Sequence, residues 1–325
     1  MTVRLGRPLS IALTLTLAAC RGDDEGSGDA SEASGDASTS GSTGTTGADT
    51  SASASATGTT DPTGEGVRAH LDFTFIAPDA IDPDPVLGLA GAYHQTGLAT
   101  DDIFALQGLQ LELPPPPAAV DTVEEHAPTP FEWGDAAAWV SAGTAIKLVH
   151  AEAGEVLACR YQADDAYPLY LASAAAGFPA ECAPDPARWQ PDAEYRLVLY
   201  GGDAFADRVI DGRVTTPPAL AVSAPDLAIY DLSVDTKADL AFTWEASEGE
   251  GRIIIQIWDH YDQLVSVHAA DDGAFTVPAA NLAALSAGPG FITVARERPL
   301  EIPFEGGTVR VVTRYQVWGY IDLVE

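Results

Sequence analysis

The chain has 325 residues, with 16 Lys and Arg against 48 Asp and Glu and a formal net charge of −32. A surface this acidic repels phosphate backbones and anionic headgroups, which excludes nucleic acid as a partner and any polybasic mode of membrane binding. Lys147 and Lys237 are the only lysines and Asn281 the only asparagine, so turns must be built from Asp, Gly and Pro.

At the amino terminus, Arg4 and Arg7 precede an apolar stretch from Leu9 to Leu17 that is interrupted only by Ser and Thr. Residues 1–19 therefore read as a secretory signal peptide, too short to span a bilayer. The stretch ends in Leu17-Ala18-Ala19-Cys20, which resembles the lipobox of bacterial lipoproteins. That resemblance implies cleavage before Cys20, acylation of Cys20 and attachment to the cell envelope. Arg21 is not the acidic residue associated with inner-membrane retention in some bacteria, so the outer membrane is the expected site. Each buried methylene contributes about 0.8 kcal/mol, and two or three acyl chains hold such a protein durably.

Residues 20–66 follow as a lipidated start and linker. They are almost wholly Ser, Thr, Gly, Ala and Asp, as in Ser38-Thr39-Ser40-Gly41-Ser42-Thr43-Gly44. Such a segment has too little apolar area to offset its ordering entropy and is expected to be disordered. As a coil of about 46 residues it has a root-mean-square span on the order of 40 Å.

Hydrophobic alternation begins at His70-Leu71-Asp72-Phe73-Thr74-Phe75, with Leu71, Phe73 and Phe75 on one strand face. Further short strands are expected at 196–200, 240–244, 252–258, 291–296 and 308–321, separated by turns such as Gly201-Gly202-Asp203 and Gly288-Pro289-Gly290. The longest helical pattern, Ala279 to Ser286, spans about two turns. The pattern predicts an all-β fold of two β-sandwich-like domains, a β-rich one over residues 67–216 and a second over 217–325, with a break at Thr215-Thr216-Pro217-Pro218. Within the second, Leu240-Ala241-Phe242-Thr243-Trp244, with Trp244 on the core face, and Asp272-Gly273-Ala274-Phe275-Thr276-Val277-Pro278 resemble strands of an immunoglobulin-like or fibronectin type III sandwich.

Cys159 and Cys182 lie in a chain marked for export, where disulfides form. Pairing them closes a loop of about 24 residues and stabilises the fold by roughly 3 to 4 kcal/mol on the chain-entropy model. A zinc site is disfavoured, because the cysteines lack C-x-x-C spacing and the six histidines show neither H-E-x-x-H nor H-x-H spacing.

For calcium, Asp79, Asp82 and Asp84 put three carboxylates in six residues, and Asp271-Asp272-Gly273 puts two in a turn. Neither matches the D-x-[DN]-x-[DN]-G loop, and Asp-Pro and Asp-Gly turns account for both. No serine in residues 67–325 has the flanking glycines of a nucleophile elbow. His260 and His268 flank Asp259 and Asp262, where surface histidines at strand ends are the simpler reading. Trp258 and Trp318 share strand parity with Ile254 and Val312 respectively, so their common exposure on one sheet would create a binding patch.

No catalytic residue and no cofactor is assigned. The expected function is that of a non-enzymatic, lipid-anchored envelope protein that displays β domains for binding or adhesion to a protein or glycan. The alternatives are a carbohydrate-binding module, with or without calcium, and a hydrolase that lacks a recognisable motif.

Overall fold

The computed structural model describes residues 68–78, 84–94, 118–127, 140–141, 143–161, 169–172, 179–200, 208–249, 251–304 and 307–325. Cys20 and the Ser/Thr/Gly/Asp-rich linker lie outside the described residues. The fold is all-β, as the period-2 alternation predicts.

In chain order the strands are β1 (Arg68–Ile76), β2 (Val86–His94), β3 (Thr122–His126), β4 (Ala145–His150), β5 (Gly154–Tyr161), β6 (Leu169–Leu171), β7 (Glu194–Leu199) and β8 (Arg208–Thr215). They continue with β9 (Val222–Ala224), β10 (Leu232–Asp235), β11 (Leu240–Trp244), β12 (Arg252–Asp259), β13 (Leu264–Ala270) and β14 (Ala274–Val277). A single α-helical turn, α1 (Ala279–Leu282), precedes the long hairpin of β15 (Gly288–Phe304) and β16 (Gly307–Val324).

One large sheet runs β3-β13-β12-β15-β16-β1-β2-β6-β5-β4-β7-β8, with β10 also paired to β16, and a small sheet runs β14-β11-β9. The 17 and 18 residues of β15 and β16 form the spine of the molecule. Alternation sets which side chains of this spine reach a core. On β16, Val309 and Val311 enter a first core, and Ile321 and Leu323 enter a second from the same sheet face. β1 lies parallel to β16 from Arg68↔Thr308 to Ile76↔Gln316, and β10 takes over beside it at Leu232↔Ile321.

The large sheet wraps the first core. Phe73, Leu87, Ile146, Tyr170, Tyr195 and Leu197 are fully buried there. Each large apolar side chain so buried contributes about 1.5 to 3 kcal/mol. The last strand of this unit returns to the spine, where the Thr313 hydroxyl donates to the Thr215 carbonyl at 2.7 Å and Arg298 Nη1 donates to the Thr216 carbonyl at 2.8 Å.

The second core is a sandwich between the small sheet and strands β13, β12, β15 and β16, filled by Phe242, Ile255, Ile257, Val267 and Val294. Trp244, 5% exposed, takes the core position expected of it. Arg296 also points into this side and is 2% exposed. Its Nε donates to Asp271 at 2.7 Å, Nη1 to the Ala219 carbonyl at 2.7 Å, and Nη2 to the Glu245 carbonyl.

The chain passes from the first core to the second between Val214 and Leu220. Segments also cross in both directions. β3 forms the edge of the large sheet beside the second core, against β13, while Ile302 and Phe304 at the tip of β15 pack into the first core. The expected strand at 291–296 is longer at both ends, because pairing with β16 carries β15 on through Pro299 and Pro303. β12 stops pairing at Glu297, so beyond it a proline costs no ladder bond on that side.

Candidate binding surface

Most of the residues singled out in the sequence are occupied by structure. Cys159 on β5 is bonded to Cys182, with a Cα–Cα distance of 5.8 Å, which ties the short 3-10 turn Ala180–Cys182 to the first unit. Asp79 and Asp82 lie outside the described residues, and Asp84 is exposed just before β2. Asp271 is no cation ligand in waiting. Besides Arg296 it accepts Trp244 Nε1 at 2.9 Å and Ser247 Oγ at 2.6 Å, so both of its oxygens are engaged. Among the described residues, no group of three or more His, Cys, Asp and Glu is placed to hold a metal ion.

His260 and His268 do not converge. His268 is buried in β13, whereas His260 is exposed in the β12–β13 turn. Asp259 organises that turn by accepting the backbone N–H groups of Tyr261 at 2.8 Å, Gln263 at 3.0 Å and Ser286 at 2.9 Å. Burial pushes its carboxyl up, but these donors outweigh it and hold Asp259 below the usual range.

Trp258 and Trp318 do share a face. Register places Trp258 on β12 opposite Phe291 on β15, and Phe291 opposite Tyr320 on β16. Tyr230, just before β10, closes on Tyr320 with ring centroids 5.5 Å apart. The result is one aromatic row crossing four neighbouring strand positions, with Trp318 beside it at 4.9 Å from Tyr320.

Trp258 and Phe291 lie within 13° of parallel at 5.7 Å, while Tyr320 stands at 78° to Trp318 and 63° to Tyr230. The row is therefore partly stacked and partly edge-on. Its rim is the most exposed apolar part of this end of the molecule, with Ile229 at 49%, Tyr230 at 60% and Tyr261 at 64%. Sequence parity identified the two tryptophans. Tyr230 and Phe291 escaped it, because their place in the row depends on pairings that only the assembled sheet defines.

Two close approaches of backbone position the row. Gly290 lies opposite Asp259, and a Cβ there would sit 2.3 Å from the Trp258 carbonyl oxygen. Gly319 admits the Leu227 backbone, whose carbonyl oxygen would be 2.7 Å from an added Cβ. Leu227 in turn leads into Ile229 and Tyr230.

The same sheet face carries a buried line of charge further along the spine. Asp72 on β1 pairs with Arg314 on β16, Arg314 Nε donates to Glu297 on β15, and Arg252 on β12 donates to Glu297 at 2.9 Å. These four side chains link four adjacent strands. Burial pushes the Glu297 carboxyl up, but Arg314 and Arg252 outweigh it and hold it below the ordinary range. For Asp72, burial prevails over Arg314 and Thr74 and raises its pKa.

No protein family and no curated protein matches the chain. Among solved structures, a tetra-tandem repeat from the extending region of a large adhesion protein aligns with 79% of this chain and 49% of its own, at 12% identity and a TM-score of 0.19. A structure concerned with host cell surface retention of a 1.5-MDa bacterial ice-binding adhesin aligns with 80% and 65%, at 10% identity and a TM-score of 0.18. The BSP domain of a biofilm-associated protein aligns with 71% and 42%, at 13% identity and a TM-score of 0.16. The chain spans less than two thirds of each of these, and superpositions at such scores decide nothing about it.

Proposed function

We propose that this chain is a non-enzymatic binding or adhesion protein of the cell envelope, tethered through Cys20 and making contact through the aromatic row. The observation that carries the reading is the row's position. The described chain begins at Arg68, paired with Thr308, and the row crosses β16 at Tyr320. Twelve residues of strand separate the two, about 40 Å at the usual rise. A head tethered at its amino-terminal end thus presents Tyr230, Trp258, Tyr261 and Tyr320 at the end farthest from the tether.

Half-exposed aromatics serve recognition well, since they bring large apolar area at small entropic cost. Glycan stacking is a second reading, favoured by Trp258, Trp318, Tyr230 and Tyr320 lying together, although the edge-on rings interrupt a flat platform. The test compares cells displaying the parent chain with cells displaying a Tyr230→Ala, Tyr320→Ala chain, on a glycan array and on protein-coated surfaces. Retention is expected to fall by tenfold or more, about 1.4 kcal/mol. Equal retention of the two overturns the assignment of the row, and selective loss on glycans alone favours the second reading. Mass spectrometry of the mature protein tests the tether, with an acylated Cys20 expected at the amino terminus and an unmodified start elsewhere refuting it.

A further inference from the structure

From the strand directions and the buried charges between them, we infer that the β1/β16 pair is a mechanical clamp that carries tension from the amino-terminal tether to the aromatic end. This inference rests on the proposed tether and contact surface, but its mechanics are independent of what is bound.

β1 and β16 run parallel over nine residue pairs, Arg68↔Thr308 to Ile76↔Gln316. Tension entering at the start of β1 pulls it backward along its own axis. Load applied near Tyr320 or Glu325 pulls β16 forward along the same axis. The two strands are thus sheared past one another, and their inter-strand bonds lie across the pull. Such bonds share the load and must fail together, whereas a ladder pulled open from one end fails a bond at a time. On its other side β16 is bonded to β15 over 17 pairs, from Gly288↔Leu323 to Phe304↔Gly307, so withdrawing it shears that ladder as well.

The buried charges supply an independent observation. Asp72, Arg314, Glu297 and Arg252 join β1, β16, β15 and β12 side chain to side chain, across the direction of pull. Glu297 is 1% and Arg314 4% exposed. Ion pairs buried to this degree are weak sources of equilibrium stability, because desolvation offsets most of their attraction. Their rupture nonetheless leaves uncompensated buried charge, so sliding β1 along β16 meets a steep penalty at the first displacement. A cross-brace at the strand where tension enters is well placed to raise the barrier to forced opening, the quantity that governs survival under load.

The test is single-molecule force spectroscopy in two pulling directions. In the first, the unacylated mature chain is held through the Cys20 thiol and a cysteine added after Glu325, which loads β1 against β16 in shear. In the second, a Cys20→Ser, Ala287→Cys chain with the same added cysteine is held at the neighbouring ends of β15 and β16, which opens that ladder bond by bond. At one loading rate the shear geometry is expected to need at least about twice the force. Asp72→Ala, checked for retained circular dichroism, is expected to lower the shear force and leave the unzipping force unchanged. Should that variant fail to fold, Asp72→Asn replaces it.

Equal forces in the two geometries overturn the clamp, and a shear force indifferent to both Asp72 variants overturns its charged brace. Adhesion measured on the same chains separates the inferences. Weak shear with intact adhesion removes the clamp alone, and strong shear without adhesion removes the binding surface alone.

Discussion

Replacing Asp271 by Ala isolates the most heavily used carboxylate in the second unit. Arg296 Nε and Nη2 reach it at 2.7 and 3.1 Å, Trp244 Nε1 at 2.9 Å and Ser247 Oγ at 2.6 Å, and its side chain is 4% exposed. Removing it leaves the Arg296 guanidinium buried without a counter-charge, a change that costs about 3 to 5 kcal/mol. In a chain of this size each kcal/mol moves the melting temperature by about 2 to 4 °C, so the expected fall is roughly 6 to 20 °C. Urea unfolding followed by tryptophan fluorescence gives the free energy directly. The double variant Asp271→Ala, Arg296→Met removes the stranded charge, adding to the single variant's loss of an acceptor for Trp244 Nε1 and Ser247 Oγ only the Ala219 and Glu245 carbonyls short of a donor. It is expected to be less destabilised than the sum of its singles by about 1 to 3 kcal/mol. A loss below about 1 kcal/mol for Asp271→Ala, the range of solvent-exposed ion pairs, would refute the reasoning, and so would strict additivity.

Two further outcomes follow from the same geometry. Gly290→Ala forces a Cβ to 2.3 Å from the Trp258 carbonyl and is expected to cost about 1 to 3 kcal/mol and weaken retention on the adhesion surface; unchanged urea midpoint and retention would contradict it. Acid stability should reflect carboxyl groups whose pKa values are shifted in opposite directions. Glu297 and Asp259, both depressed in the fold, contribute stability that is present above their unfolded values near about 4 and lost as pH falls through the folded ones. Asp72, raised by burial, contributes stability below its unfolded value that is lost as pH rises through the folded one. Between pH 7 and 5 Asp72 is opposed by His126, whose imidazole burial holds below its ordinary value, so the steep loss of unfolding free energy is expected only below about 4, and a profile flat from pH 5 to 3 would contradict this.

Strands β11, β12, β15 and β16 were legible in part because apolar side chains recur at alternate positions within each, whereas β13, buried on both faces, shows no such alternation and was not expected. Leu240, Phe242 and Trp244, or Ile253, Ile255 and Ile257, announce their face from within one segment. β3 was not legible. Thr122-Val123-Glu124-Glu125-His126 is a polar edge strand that buries little, and it exists because β13 offers it a ladder. The buried charges were equally hidden. Asp72, Arg252, Glu297 and Arg314 come from four distant places in the chain, and each alone reads as a charged residue on a solvated surface. Only the register of β12, β15, β16 and β1 puts them within bonding distance. The aromatic row lies between these cases, since parity found Trp258 and Trp318 while their neighbours waited on pairing.

The exchange of strands between the two cores has a consequence for how such a head can be inherited. A fragment cut at Pro217 takes β13 without the β3 that edges it, and it strips the first core of Ile302, Phe304, Val309 and Val311. Each half would be left with a bare ladder and an open hydrophobic wall, the condition that invites edge-to-edge aggregation. Beads-on-a-string modules can be copied in tandem or shuffled between genes because each closes on itself. This head does not, so duplication or recombination must move it whole.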